Sequence, residues 1–415
     1  MTLPASVVIV GGGQAGLQAA GSLRDGGFAG DITMVCAEAH YPYQRPPLSK
    51  AGLETEGFVP TIRLPKFFDD RQIAIHLGER AVGIDRNTLS VSTASGLEFQ
   101  AGHVVLATGA SNRRLPIPGE DLRGIFYLRT VSDADSFRKA LNQAERLVII
   151  GAGFIGLEVA AVARKRGIAT TVIDIDARPM ARAISQQMSD YFLDLHTAAG
   201  AEILLNRSVL ENEGTNGEVR AVRLSTGERI AADLVLIGVG ATPNVELAVM
   251  AGLDVDNGIV VDEHLTTSDP NISAIGDCAS FPTSHGQRTR LESVQNATDQ
   301  ARSVAAKLLG TPRPYTSVPW FWSDQGNTKL QIVGLVAGCD EVLVSGDPRE
   351  HSFSVFCFRE KRLVGIESVN RPADHMAGRK LLQTRAAISP EQLVAAKFDV
   401  KALESDVRSR EQEAL

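Results

Sequence analysis

The sequence predicts an α/β chain of two Rossmann-like dinucleotide-binding domains followed by a C-terminal α+β domain. Three observations carry this expectation. Two glycine fingerprints, Gly11-Gly12-Gly13-Gln14-Ala15-Gly16 and Gly151-Ala152-Gly153-Phe154-Ile155-Gly156, each follow an apolar strand and open a helix. Each is echoed later by an apolar strand ending in a small-residue turn. The first echo is Val104-Val105-Leu106-Ala107-Thr108-Gly109-Ala110, and the second runs from Leu234 to Ala241. From about Val318 the composition shifts to short β-rich runs separated by glycines and charged turns. One fingerprint alone is a weak signal, because glycine turns are common. Two in matching context point to two dinucleotides held at once, and hence to electrons passing between them.

In order along the chain, residues 6–10 read as a buried parallel strand, 14–25 as a helix, and Asp31 to Val35 as a strand closing on Glu38. The second copy runs Leu147 to Ile150, helix 155–166, and Thr170 to Ile173 closing on Asp174. This is the βαβ unit of a dinucleotide site. The first glycine (Gly11, Gly151) permits the tight turn and the second (Gly13, Gly153) lets the backbone approach a pyrophosphate. The third (Gly16, Gly156) lets helix and strand pack, and Ala15 and Ile155 fill the place before it. The helix N-terminus offers N–H groups and a positive dipole end to the phosphates. Glu38 and Asp174 stand near the offset expected for an acid that accepts ribose hydroxyls, about 20 residues. An acid at Asp174 favours NAD over NADP by repelling a 2′-phosphate, although Arg178 and Arg182 lie close by.

Asn112 to Gly119, rich in Arg and Pro, reads as a crossover, and Ala241-Thr242-Pro243-Asn244 as the return. Ile272 to Asp277, a strand ending in Gly276-Asp277, then belongs to the first domain again. The expected division is 1–112 with 243–317, 113–242, and 318–415. In the last part, Leu330 to Val336, Glu341 to Ser345, Phe353 to Arg359 and Leu363 to Ser368 read as strands. Helices follow from near Pro372 and Pro390.

A chain of 415 residues can bury two or three cores. Its net charge of −7 argues against nucleic-acid binding. No run approaches the roughly 18 apolar residues of a membrane span. Val7-Val8-Ile9-Val10 leads directly into the first glycine loop, so it reads as a strand rather than a signal peptide. The four cysteines, Cys36, Cys278, Cys339 and Cys357, lack zinc or dithiol spacing. A reduced, cytoplasmic setting is expected.

Four segments carry a family likeness: Pro42-Tyr43-Gln44-Arg45-Pro46-Pro47-Leu48-Ser49-Lys50, the Ala107-Thr108-Gly109 turn, Gly276-Asp277, and Pro319-Trp320-Phe321-Trp322-Ser323-Asp324-Gln325. Together they resemble the FAD-dependent ferredoxin reductases of bacterial monooxygenase and dioxygenase systems, the putidaredoxin reductase type, across nearly the whole chain. Gln44 departs from the family pattern, which more often has Asp. The resemblance implies FAD on the first fingerprint and NADH on the second. It implies that Asp277 bonds the ribityl chain and that Arg45, Lys50, Val82, Arg129 and Val294 contact FAD. It also places Lys50 near the flavin ring, with Glu158 as its partner facing the nicotinamide and Trp320 flanking the ring. Without the likeness, Lys50 reads as a solvated lysine at a helix start, Glu158 as an exposed helix residue and Asp277 as a helix cap. Trp320 and Trp322 then read as core aromatics and Cys278 as a small buried residue.

Related disulfide reductases carry a cysteine pair where this chain has Gln44 to Lys50. The expected course is therefore hydride transfer from NADH to FAD, then single electrons to a small acidic iron–sulfur ferredoxin that supplies an oxygenase. An acidic reductase then needs a local basic patch, with Arg63, Arg290, Arg302, Lys329, Arg379 and Lys380 as candidates. The competing readings are an NADH oxidase or rubredoxin reductase, and an NADH-sensing flavoprotein interaction module. A monomer or weak dimer is expected.

Overall fold

The computed structural model describes residues 3–283 and 287–413. They form two units. One comprises the chain up to Arg45 with Val59–Ser111 and Ala241–Ser317; the other comprises Pro46–Phe58, Asn112–Gly240 and the chain from Val318.

The first unit is built on a five-stranded parallel sheet in the order Ile272–Ala274, His103–Leu106, Ser6–Val10, Asp31–Cys36, Ile73–Leu77. The central strand, Val7 to Val10, is buried on both faces, as its unbroken apolar run requires. Helices Gln14–Asp25 and Val294–Leu308 pack together, and a three-stranded antiparallel sheet, Ala81–Asp85, Ser90–Thr93 and Glu98–Gln100, stands apart from the main one.

The second unit repeats the plan. Its parallel sheet runs Glu202–Leu204, Ala169–Ile173, Arg146–Ile150, Leu234–Ile237, Ile125–Phe126. Val209–Thr215, Glu218–Leu224 and Arg229–Ala231 form the matching antiparallel sheet. In both units the fingerprint strand is central, flanked by the next strand on one side and the echo strand on the other. The fifth position differs: a later segment fills it in the first unit and an earlier one, Ile125–Phe126, in the second.

The unit also contains a five-stranded antiparallel sheet in the order Trp320–Gln325, Thr328–Gly334, Arg362–Val369, Ser352–Arg359, Glu341–Asp347. Helices Pro372–Gln383, Pro390–Ala395 and Val400–Glu413 follow it. Two placements differ from the sequence reading. Pro46–Phe58 groups with the second unit because Ser49 and Lys50 bond Glu158, Arg166 bonds the Leu53 carbonyl, and Lys165 pairs with Glu54. The segment from Val318 groups there too. Phe321 packs edge-on against Phe154 at 4.4 Å between ring centroids, and Ser323 donates to Glu158.

Candidate cofactor and electron-transfer site

In the first glycine loop, the Gly11 amide donates to the Val35 carbonyl at 2.9 Å. Gly11 has φ +127°, and a Cβ there would run into the Ala107 carbonyl, so the turn accepts only glycine. A Cβ on Gly16 would meet the Gly11 carbonyl. Gly13 is different: a Cβ there would meet no protein atom within 4 Å. Protein packing therefore does not require glycine at 13. The space left at the head of helix Gln14–Asp25 fits the approach of a pyrophosphate.

That helix has no side-chain cap, whereas the helices opening after Thr130, Ser185, Ser293 and Ser389 are all capped by a hydroxyl. Its first N–H groups remain available to an anion. The second loop matches it. Gly151 donates to the Ile173 carbonyl at 2.8 Å, Gly153 has open space, and a Cβ on Gly156 would strike the Gly151 carbonyl. Helix Phe154–Lys165 is likewise uncapped. Ala15 is buried and Ile155 exposed.

The two acids are used differently. Glu38 accepts from Arg45 at 2.7 Å and from the Tyr43 hydroxyl. Burial alone would raise its pKa, but the Arg45 and Tyr43 contacts outweigh burial and lower it. Arg45 also feels the charge of Asp277. Asp174 instead accepts from the Ala152 amide at 2.5 Å and the Asp176 amide at 2.8 Å, stapling the second glycine loop. A carboxylate has about four acceptor sites, so a hydroxyl can still be taken. Arg178 spends its guanidinium on the Ala181, Ile184 and Ser185 carbonyls and on Ser189. Arg182 is exposed and reaches Asp176 only at 3.8 Å.

Around the first loop, Thr108 and Asn244 clamp each other. The Thr108 hydroxyl donates to the Asn244 carbonyl at 2.7 Å, and the Asn244 amide to the Thr108 carbonyl at 2.8 Å. This fixes the turn Ala107-Thr108-Gly109. Gly276 donates to the buried Gln300 at 2.7 Å, and the Gln300 side-chain amide nitrogen has no partner within the protein. Asp277 lies in the 3-10 turn Gly276–Cys278 and does not cap an α-helix. Cys278 is fully buried, as expected of a small apolar residue. Val82 is exposed on its strand, and Val294 begins helix Val294–Leu308. Arg129 precedes helix Val131–Leu141, its amide bonded to Asp133, and Gly240 accepts from the Arg113 amide.

In the second unit, Lys50 and Glu158 form an ion pair of 2.6 Å, with Glu158 only 7% exposed. Glu158 is thus buried rather than solvent-facing, and Lys50 is neither solvated nor free: it also donates to the Pro46 carbonyl at 3.1 Å. Ser49 at 2.5 Å and Ser323 at 2.7 Å complete the carboxylate's partners. Strand alternation explains the rest. Phe321, Ser323 and Gln325 meet Phe154, Glu158 and His196, whereas Trp320 packs tilted against Trp322 and edge-on against His375 and lies under Arg379 at 4.1 Å. Trp322 is half-buried rather than core, and the buried Trp320 ring nitrogen has no protein partner. The sequence reading missed Ser49, Asn244, Gln300, Ser323 and Gln325. The last two sit in the quoted Trp-Phe-Trp segment, where alternation would have marked them.

The chain matches the family model for pyridine nucleotide-disulphide oxidoreductases over residues 5–301, and the model for the reductase C-terminal domain over 320–404. It is 50% identical to rhodocoxin reductase of Rhodococcus erythropolis over 95% of this chain and 93% of that protein. It is 39% identical to a rubredoxin-NAD(+) reductase of Pseudomonas putida over 88% of this chain and 96% of that one. Among solved structures, the ferredoxin reductase for the CYP199A2 system from Rhodopseudomonas palustris superposes with a TM-score of 0.94. The identity is 48%, covering 96% of this chain and all (100%) of that one. The reductase in the covalent putidaredoxin reductase–putidaredoxin complex gives 0.92 at 37% identity, covering 97% and 99%.

Proposed function

The chain belongs to the pyridine nucleotide-disulphide oxidoreductase family, and we propose that it is the NADH-dependent, FAD-containing reductase of a ferredoxin that supplies an oxygenase. The carrying observation is the Lys50–Glu158 pair. The segment where disulfide reductases hold their cysteines here delivers a lysine to a buried carboxylate. Electrons cannot collect on a thiol pair there, so they leave to an outside acceptor. Bound flavin supplies the exchange between a two-electron donor and one-electron acceptors. One NADH thus serves two ferredoxins.

We assign FAD to residues 1–112 with 243–317, and NADH to 113–242. Gly11, Gly13, Gly16 and Gly276 shape the first site, with Glu38, Arg45, Val82, Arg129, Asp277 and Val294 as polar and apolar contacts. Gly151, Gly153, Gly156, Asp174 and Gly240 shape the second. Lys50, fixed by Glu158, offsets the negative charge gained on flavin reduction. Trp320 flanks the nicotinamide. Asp174 and Asp176 place two carboxylates where a 2′-phosphate would lie, and Arg178 is committed to backbone carbonyls, so NADH is preferred over NADPH. The ferredoxin is acidic, and the reductase works as a monomer or weak dimer.

Anaerobic titration of the purified protein tests this reading. NADH, and NADPH far less, bleaches the flavin band, and added ferredoxin restores it. Lys50→Ala slows the bleaching in stopped flow. A protein that stays colourless after incubation with FAD would refute the assignment. Faster turnover with oxygen alone than with ferredoxin would turn it into an oxidase, and preference for rubredoxin would change the partner. A long-lived NADH complex with no acceptor turnover would favour an interaction module.

A further inference from the structure

We propose that Ser323 and Gln325 are positioning residues that hold the Glu158 carboxylate, and through it the Lys50 ammonium, by a one-way chain of hydrogen bonds starting at His196. The proposal rests on the role given above to Lys50 and Glu158.

The chain has four links. His196 Nε2 lies 2.7 Å from Gln325 Oε1, and Gln325 Nε2 donates to Ser323 Oγ at 3.2 Å. Ser323 Oγ donates to Glu158 Oε1 at 2.7 Å, and Lys50 Nζ meets Glu158 Oε2 at 2.6 Å. All four polar residues from His196 to Glu158 are buried. A buried polar group is costly unless bonded, so their presence in an otherwise apolar contact needs a reason.

The direction of the chain is constrained at each end. Burial lowers the His196 pKa, which keeps the ring neutral with a single N–H. Met180 Sδ, a weak acceptor, lies 3.6 Å from Gln325 Nε2 and orients that amide with its oxygen toward His196. Ser323 then accepts from Gln325 and has only its own proton to give, which goes to Glu158. Every donor points toward the carboxylate. Ser49 donates to the other oxygen at 2.5 Å. With both oxygens fixed, Glu158 offers Lys50 a charge in one place, and the Pro46 carbonyl sets the ammonium's second contact. Ser323 donates to Glu158, and Gln325 bonds Ser323, His196 and Met180, so the hydrogen-bonded route from both residues to Lys50 runs through Glu158.

The test is a double-mutant cycle on the FAD-loaded protein, read by anaerobic stopped flow with NADH. Ser323→Ala lowers the limiting rate of flavin reduction roughly tenfold, the effect of losing about one such bond. The NADH concentration at half-saturation and the FAD content stay as in the parent. In a Lys50→Met background the same substitution adds less than about a twofold loss, because the group being positioned is gone. Ser323→Cys keeps the volume with a weak donor and carries the same cycle if Ser323→Ala does not fold. An unchanged rate in the Ser323 variants, with Lys50→Met slow, overturns the positioning role and leaves the function standing. An equal loss in both backgrounds makes Ser323 a packing residue and also overturns it. If Lys50→Met and Glu158→Gln both reduce at the parental rate, the reading of the pair itself has failed.

Discussion

Gly153 and Gly151 are neighbours in one loop, but the protein needs them for different reasons. Gly151 has φ +111°, and a Cβ there would strike the Gly238 carbonyl. Gly153 has φ −79° and ψ −178°, which alanine adopts freely, and a Cβ would meet no protein atom within 4 Å. Gly151→Ala should therefore fold poorly, losing about 3 kcal/mol or more from backbone strain and collision. Gly153→Ala should melt within a few degrees of the parent, since alanine at a helix cap costs under about 1 kcal/mol relative to glycine. Its NADH dissociation constant should rise at least roughly tenfold, because the new methyl fills the space that a pyrophosphate would enter. Thermal melts followed by circular dichroism, beside NADH titration of each variant, check both halves. Parental NADH affinity in Gly153→Ala would remove the second loop from the nucleotide site.

At the scale of elements, polar contacts fasten helix Gln186–Ala198 to the antiparallel sheet and to the turn before strand Ser352–Arg359. Its cap Ser185 bonds Glu367, Tyr191 meets His351 at 2.7 Å, and His196 meets Gln325. Glu367 is fully buried, and burial pushes its carboxyl up from 4.5 to about 7 despite the Ser185 donors. Between those values the folded chain holds a proton that the unfolded chain has lost. Stability therefore falls as pH rises through that window, and the penalty is complete above about 7. Glu367→Gln keeps a carbonyl for the Ser185 amide and cannot ionise. It should be the more stable protein at pH 8, by up to roughly 3 kcal/mol, with the advantage fading toward pH 4.5. Urea midpoints of the two proteins across that range decide it, and a pH-independent difference would show that Glu367 does not titrate there. The same contacts show what the sequence could reveal. The fingerprint strands, their helices and the echo strands were legible because apolar runs and glycine turns are local signals, and strand Arg146–Ile150 lies within a residue of its expected start. Glu158 looked like a surface helix position, because its burial comes from Ser49 and Ser323, more than 100 residues away on either side. Helix Val400–Glu413 went unread, half of its residues being charged and its apolar stripe thin, and no local pattern tied Pro46–Phe58 to the second unit.

For the whole molecule, the sign of a salt response separates two kinds of electrostatics. The reductase carries −7, and the proposed ferredoxin is also acidic. If net charges alone governed their encounter, they would repel, and added salt would speed electron transfer by screening that repulsion. A local basic patch predicts the opposite, with salt slowing the reaction. The candidate cations are not equivalent. Arg290 has a side chain only 10% exposed, bound to Glu292 at 2.7 Å, so it leaves the surface set. Arg302 and Lys329 reach carboxylates only at 3.7 Å and are largely exposed. Arg379 lies over the Trp320 ring, while Arg63 and Lys380 are exposed at Ile62-Arg63 and the helix Pro372–Gln383. None of the described helices is long and apolar enough to cross a membrane. Ferredoxin reduction should therefore slow by roughly tenfold as the Debye length shrinks from about 30 Å in 10 mM salt to about 8 Å at physiological strength. Flavin reduction by NADH, measured in the same buffers without ferredoxin, should change far less. Lys380→Glu should lower kcat/KM for ferredoxin at low salt and flatten its salt dependence, leaving the NADH half-reaction intact. A rate that rises with salt would mean that the overall negative field dominates and that no basic patch steers the partner.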